Sequence, residues 1–302
     1  MTAAVAAKAV PVTAQQITVT PLTGAIGADI AGVDLSQPLT DAEFEVIHGA
    51  WLQHLVLRFR GQTLDKELLL AFSRRFGKLD KAPINPTGKN WIEGYGELAV
   101  MSNIKQDGKP IGSLGDGEAV WHTDMSYQDI TPSAALLYGV EVVQKDGGET
   151  GFTSMYRAYE LMPDDLKQAI AGRQIKHDAS YNSAGQLRKG FKEVTDPREA
   201  PGAVHPIVIR HPVTGRKALF LGRRPHAYVV GLPLEESEAL LDRLWTYALD
   251  HANREHWFQK WKVGDLLLWD NRCTMHMRTA FDPAERRYLM RTTIIDGKPQ
   301  AA

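Results

Sequence analysis

Asp265-Leu266-Leu267-Leu268-Trp269-Asp270-Asn271-Arg272-Cys273-Thr274-Met275-His276 carries an apolar strand into a polar turn and out again to a histidine. Far upstream, Trp121-His122-Thr123-Asp124 sets a histidine and an aspartate two residues apart. In an extended chain that spacing points both side chains to one face. Together His122, Asp124 and His276 supply two imidazoles and one carboxylate. Such a set can occupy one triangular face of an octahedral metal and leave the opposite positions open. A lone His-x-Asp pair occurs often by chance. What lifts this one is the third candidate ligand, in a second aromatic-flanked strand segment followed by Arg287 and Arg291.

Working outward, residues 17–22 read as a short strand ending at Pro21. Thr40-Asp41-Ala42-Glu43 is a capping-box pattern, and Phe44, Ile47 and Trp51 recur at helical spacing to about His54. Leu55 to Arg60 is a strand candidate stopped by Gly61, and a second helix is expected from Asp65 to Phe76 with Gly77 as its stop. Residues 78–118 are rich in Pro, Gly, Asn and Lys around one strand candidate at 98–101. So long an irregular stretch within a domain suggests a lid or binding loop, and residues 178–203 form a second lid candidate. A helix is expected over Met155 to Ile170 and another from about Pro233 to Asn253. Val204 to Arg210 and Lys217 to Leu221 flank a hairpin-like turn, and Tyr288 to Ile295 reads as a strand. With candidate ligands at both ends of the β-rich region, one domain over residues 17–302 is expected: mainly β, a sandwich or barrel with peripheral helices.

At 302 residues, with 43% apolar and 24% charged side chains, the chain has length enough for a sizeable core. A formal net charge of -1 gives no basic field to support nucleic-acid binding. Cys273 is the only cysteine, so no intramolecular disulfide can form, which fits a reducing cytoplasm. No apolar run reaches the length of a membrane span, and residues 1–16, alanine-rich with Lys8 as their one charge, read as a flexible tail.

The motifs resemble the taurine/2,4-D (TauD/TfdA) dioxygenase family of Fe(II)- and 2-oxoglutarate-dependent oxygenases. The matching residues are Trp121-His122-Thr123-Asp124, then Gly147-Gly148-Glu149-Thr150, then Trp269 through His276, with Arg287 and Arg291 eleven and fifteen residues past that histidine. The likeness spans about residues 17–296. It implies a double-stranded β-helix, a cupin-like jelly-roll, and His122, Asp124 and His276 as iron ligands. Thr150 and Arg287 would hold the far carboxylate of 2-oxoglutarate, with O2 as the other co-substrate. A carboxylate at position 124 implies hydroxylation rather than halogenation, and the family suggests homo-oligomers. Asp270 and Asn271 are expected to support the ligand strand through turn hydrogen bonds and a buried ion pair.

Arg291, four beyond Arg287 and so on the same strand face, is expected to read an acidic group of a small anionic substrate. Taurine-specific members have a histidine shortly after a Phe-Gly-x-Leu segment. Here Phe76-Gly77-Lys78-Leu79 is followed by none up to Pro86. Residues 97–104 and 219–227 look closer to the aryloxyalkanoate branch, so a carboxylate of that kind is expected. Ser102, Asn103, Tyr181, Arg223 and His226 are the further candidates for the substrate pocket. An alkylsulfonate or sulfate-ester dioxygenase and a non-catalytic, metabolite-binding jelly-roll are the competing expectations.

Overall fold

The computed structural model describes residues 16–85, 87–251 and 255–302. The tail expected over residues 1–16 therefore lies, except for Gln16, outside the described residues. Two antiparallel-dominated sheets form a jelly-roll. The larger runs, in spatial order, Thr18–Pro21, Ala28–Ala31, Val56–Phe59, Leu266–Asp270, Pro132–Glu141, Tyr288–Ile295, Ala99–Ser102 and Ser113–Leu114. The smaller runs Trp257–Gln259, Thr150–Ser154, Thr274–Arg278 and Ala119–His122.

Strand alternation divides the core in two. Val56, Ala135, Leu137, Leu267, Trp269 and Leu289 of the larger sheet pack against Phe152, Trp257 and Met275 of the smaller one. On the opposite face Leu57, Phe59, Leu136, Tyr138, Leu266 and Leu268 pack under Ile47 and Trp51 of helix Asp41–His54 and Leu69 and Phe72 of helix Lys66–Arg74. The central strands are thus covered on both sides and carry no polar–apolar alternation. That is why Pro132–Glu141, the longest strand described, gave no period-two signal.

Helix Asp41–His54 starts on the expected capping box: Thr40 Oγ1 accepts the Glu43 amide and the Glu43 carboxylate accepts the Thr40 amide. The continuous helix expected over 155–170 is instead two, Met155–Glu160 and Asp164–Ile170. Pro163 caps the second, and a residue before proline is pushed out of helical conformation. Val204–Pro206 and Val208–Arg210 are likewise separate strands: the first pairs with Gln174–Lys176, the second forms a hairpin with Lys217–Leu219. The helix Leu234–Thr246 passes into a wide turn over Tyr247–His251, and the rest of its expected extent, 252–253, lies outside the described residues.

Candidate active site

His122 ends its strand directly opposite His276, the middle of Thr274–Arg278, with ring centroids 4.2 Å apart. Phe152 of the strand Thr150–Ser154 pairs with His276 and stacks on it at 6.0 Å, and the Trp269 ring lies 5.0 Å from the same imidazole. His122 Nδ1 lies 2.7 Å from the Val120 carbonyl. A carbonyl only accepts, so Nδ1 carries the proton and Nε2 offers its lone pair. That Nε2 lies 3.5 Å from Asp124 Oδ1, and His276 Nε2 lies 3.6 Å from Asp124 Oδ2.

One donor atom from each residue falls within 4.8 Å of the others. Two imidazoles and a carboxylate this close together could hold one divalent metal. The protonation states suit ligation. Burial holds the His276 imidazole down to about 3, against the pull of Asp124, and so keeps it neutral. Burial opposes ionisation of Asp124, but Arg291, His276 and His122 outweigh it and keep the carboxyl well below its usual range.

The turn after Leu266–Asp270 braces this site. Asn271 Oδ1 accepts the Asp124 amide at 2.9 Å, and its Nδ2 donates to the Asp124 carbonyl at 3.0 Å and the Pro132 carbonyl at 3.2 Å. Asp270 is buried and accepts from Arg272 Nε, from Arg272 Nη2 and from His211 Nε2. His211, Asp270 and Cys273 also cluster closely enough to suggest a second metal site. Hydrogen bonding excludes it: His211 Nδ1 accepts the Val213 and Thr214 amides while Nε2 donates to Asp270, so neither nitrogen is free.

A cavity of about 350 Å³ opens beside His122 and Asp124. Ala82, Pro83, Ala99, Met101, Leu114 and Met125 make much of its wall. Arg291 enters it with Nη2 2.5 Å from Asp124 Oδ2, its guanidinium over the Trp269 ring and its Nε buried without a partner among the described residues. Both lid candidates border the cavity. From 178–203 come Tyr181 and Arg188; Tyr181 stacks on His226 at 4.8 Å and Arg188 lies 3.9 Å above the Tyr127 ring. Arg223 also reaches the wall, with its guanidinium 3.3 Å from Asp178 and a further bond to the Asn182 carbonyl. His226 backs Tyr181 and does not line the cavity itself.

Ser102 and Asn103, expected in the pocket, are placed elsewhere. Ala99 and Met101 face the cavity, so alternation turns Ser102 away. Its hydroxyl donates to the Arg287 carbonyl at 2.7 Å, and Asn103 Oδ1 accepts the Arg287 amide at 3.0 Å. Both hold the main chain at Arg287, just before the strand Tyr288–Ile295 that carries Arg291.

Arg287 is buried and has no carboxylate within ion-pair distance among the described residues. Burial, and then the charge of Arg278, push its guanidinium down to about 9. It borders a second cavity with Gly147, Gly148, Lys260 and Trp261, and Trp261 Nε1 donates to Thr150 Oγ1 at 3.1 Å. The Gly-Gly turn is required here: Gly147 has φ +101°, and a Cβ on it would lie 2.4 Å from the Ala280 carbonyl. Sequence reasoning did not single out Arg278, His177 or Arg188. Arg278 alone carried a usable signal, the period-two step from His276; His177 and Arg188 come to the cavity through tertiary folding.

A jelly-roll with two histidines and one carboxylate converging on its inner face defines a non-haem iron dioxygenase. The chain belongs to the taurine catabolism dioxygenase TauD, TfdA family, whose profile matches residues 18–293. It is 34% identical over 289 residues to a (S)-phenoxypropionate/alpha-ketoglutarate-dioxygenase of Sphingobium herbicidovorans, covering 91% of this chain and 94% of that one. It is 33% identical over 297 residues to pentalenolactone F synthase of Streptomyces avermitilis, covering 91% and 92%. Among solved structures it resembles AAD-2 in complex with Mn(II) and N-oxalylglycine, with a TM-score of 0.75, 29% identity and coverage of 95% and 100%. The chain is accordingly an oxidoreductase of the iron- and 2-oxoglutarate-dependent type. No helix described is long and apolar enough to cross a membrane.

Proposed function

We propose that the protein hydroxylates a small organic carboxylate of the aryloxyalkanoate kind, converting 2-oxoglutarate and O2 to succinate and CO2. The observation that carries this reading is the cationic Arg291 set into a largely apolar cavity of about 350 Å³ beside the three donors. An apolar wall suits an aryl or alkyl body, and the Arg291 guanidinium beside the three donors suits an anion.

His122, Asp124 and His276 are the proposed iron ligands. Iron bound there would supply the activation of O2 and the oxidation of a substrate C–H bond. The residues do the rest. Asn271 fixes the backbone at Asp124. Arg291 holds one oxygen of that carboxylate and retains an unpartnered Nε–H for the substrate anion. Arg287 and Thr150 receive the far carboxylate of 2-oxoglutarate, as the lack of a described anion on Arg287 supports. Tyr181 and the 178–203 segment narrow access of water to the cavity. Hydroxylation at the carbon between an ether oxygen and a carboxylate gives a hemiacetal that collapses to a phenol and a glyoxylate-type keto acid.

The test is succinate formation by Fe(II)-reconstituted enzyme across aryloxyalkanoates, other carboxylates, alkylsulfonates and sulfate esters. Stimulation with phenol release supports the reading. Stimulation confined to sulfonates or sulfate esters, with sulfite or sulfate released, replaces the substrate assignment and leaves the dioxygenase intact.

A further inference from the structure

Arg278 lies two residues beyond His276 and directly opposite Thr150 across the pairing of Thr150–Ser154 with Thr274–Arg278. Opposed residues in an antiparallel pair share a face, and alternate residues of one strand do too. His276, Arg278, Phe152 and Thr150 therefore project to the same side of the smaller sheet. Arg278 is 5% exposed, and its described hydrogen bonds all go to main-chain carbonyls: Nη1 to Gly115 at 3.1 Å, Nη2 to Leu114 at 2.9 Å and to Gly117. Its Nε is buried with no partner among the described residues. Asp116, on the same loop, acts on it without reaching ion-pair distance. Close by is Arg287, the other buried guanidinium without a described carboxylate. Two such cations together are costly unless an anion joins them.

We propose that Arg278 is a second positioning cation for the far carboxylate of 2-oxoglutarate, and that it ties the 113–117 loop to the ligand strand when that dianion is bound. The proposal rests on the dioxygenase reading above and adds to it a residue and a coupling. The coupling follows from what the loop holds. Leu114 lines the substrate cavity and has φ 70°, a left-handed conformation that costs a leucine energy and needs to be held. The guanidinium that accepts the co-substrate charge is the one that grips the Leu114 carbonyl. Filling the co-substrate site thereby firms one wall of the substrate cavity.

The experiment compares wild type, Arg278→Gln and Arg278→Lys, loaded with Mn(II), by calorimetry. The two probes are 2-oxoglutarate and 2-oxobutyrate, which has the same keto acid head and no far carboxylate. Hydrogen exchange over residues 113–117 is read in parallel. Loss of one charge-assisted contact predicts that Arg278→Gln weakens 2-oxoglutarate by about 10-fold or more and leaves 2-oxobutyrate within about twofold. Wild type gains loop protection with 2-oxoglutarate, and Arg278→Gln does not. Arg278→Lys retains the charge and lacks the fork, so it keeps more of the affinity than of the loop protection; it carries the comparison if the glutamine variant fails to fold. Unchanged 2-oxoglutarate binding, or equal weakening of both acids, overturns the proposal and leaves Arg278 a structural brace. Failure of the wild type to bind 2-oxoglutarate overturns the dioxygenase reading itself, a result distinct from either.

Discussion

Asn271 grips the main chain of Asp124 at both ends, accepting its amide at 2.9 Å and donating to its carbonyl at 3.0 Å. One carboxamide so joins the two motifs that lie far apart in sequence, and it sets where the Asp124 side chain begins. Asn271→Ala should leave the buried Asp124 amide and carbonyl unsatisfied, at a cost of about 1–3 kcal/mol. Groups that orient metal ligands are typically worth about 10–100-fold in metal affinity. The expected result is Fe(II) binding weaker by that order and a lower midpoint of thermal unfolding. Iron affinity equal to wild type would detach the clamp from the metal site.

Arg287→Ala should act on the co-substrate. Two charge-assisted bonds of about 1.5–3 kcal/mol each correspond to roughly 100-fold or more in the 2-oxoglutarate requirement. The effect should fall on KM for 2-oxoglutarate far more than on KM for the hydroxylated substrate. An unchanged 2-oxoglutarate KM would place that carboxylate elsewhere.

Gly147→Ala tests the turn that delivers Thr150. A Cβ there meets the Ala280 carbonyl at 2.4 Å on a backbone with φ +101°, so backbone must shift on one side or the other. A strained site of this kind costs on the order of 1–3 kcal/mol. Loss of stability together with weaker 2-oxoglutarate binding is expected; equal stability by denaturant titration would contradict the contact.

His177 sets a pH dependence. The ring is buried in the cavity wall with neither nitrogen partnered among the described residues, and burial, with the charge of His205 adding to it, lowers it to about 3. Unfolding lets it protonate near its ordinary value of about 6.5. Between those values the unfolded state binds the extra proton, so stability falls as pH drops from about 6.5 toward 3, by roughly 1.4 kcal/mol per pH unit for this group. Below about 3 its contribution is fully lost. His177→Phe should flatten unfolding free energy against pH over that window; an unaltered slope would mean that the imidazole is charged or solvated in the folded protein.

The strongest sequence signals were those fixed by local geometry. The capping box at Thr40 and Glu43 became a helix start because its two bonds span three residues. The expectation that strand alternation brings His122 and Asp124 to one face holds only for His122, which ends the strand Ala119–His122; Asp124 lies in the turn beyond it, and the Asn271 clamp sets its direction. Breaks at single prolines were harder to see: the apolar spacing from Met155 to Ile170 masked the stop at Pro163. Pro132–Glu141, paired on both sides at the centre of the larger sheet, was invisible because a strand buried on both faces has no periodic pattern.

By itself the sequence supplied the candidate donor set, the cations that follow it and a β-rich fold, and its resemblance to a known family implied the jelly-roll. These were legible because they live in residue type and in motifs whose order along the chain the sequence records directly. Only the tertiary structure decided that Ser102 turns from the cavity to hold Arg287, that Arg291 rests on Asp124, and that Arg278 stands opposite Thr150. These depend on strand register and on which faces meet across the core. Register is fixed by packing summed over many residues, and no single interval in the chain records it.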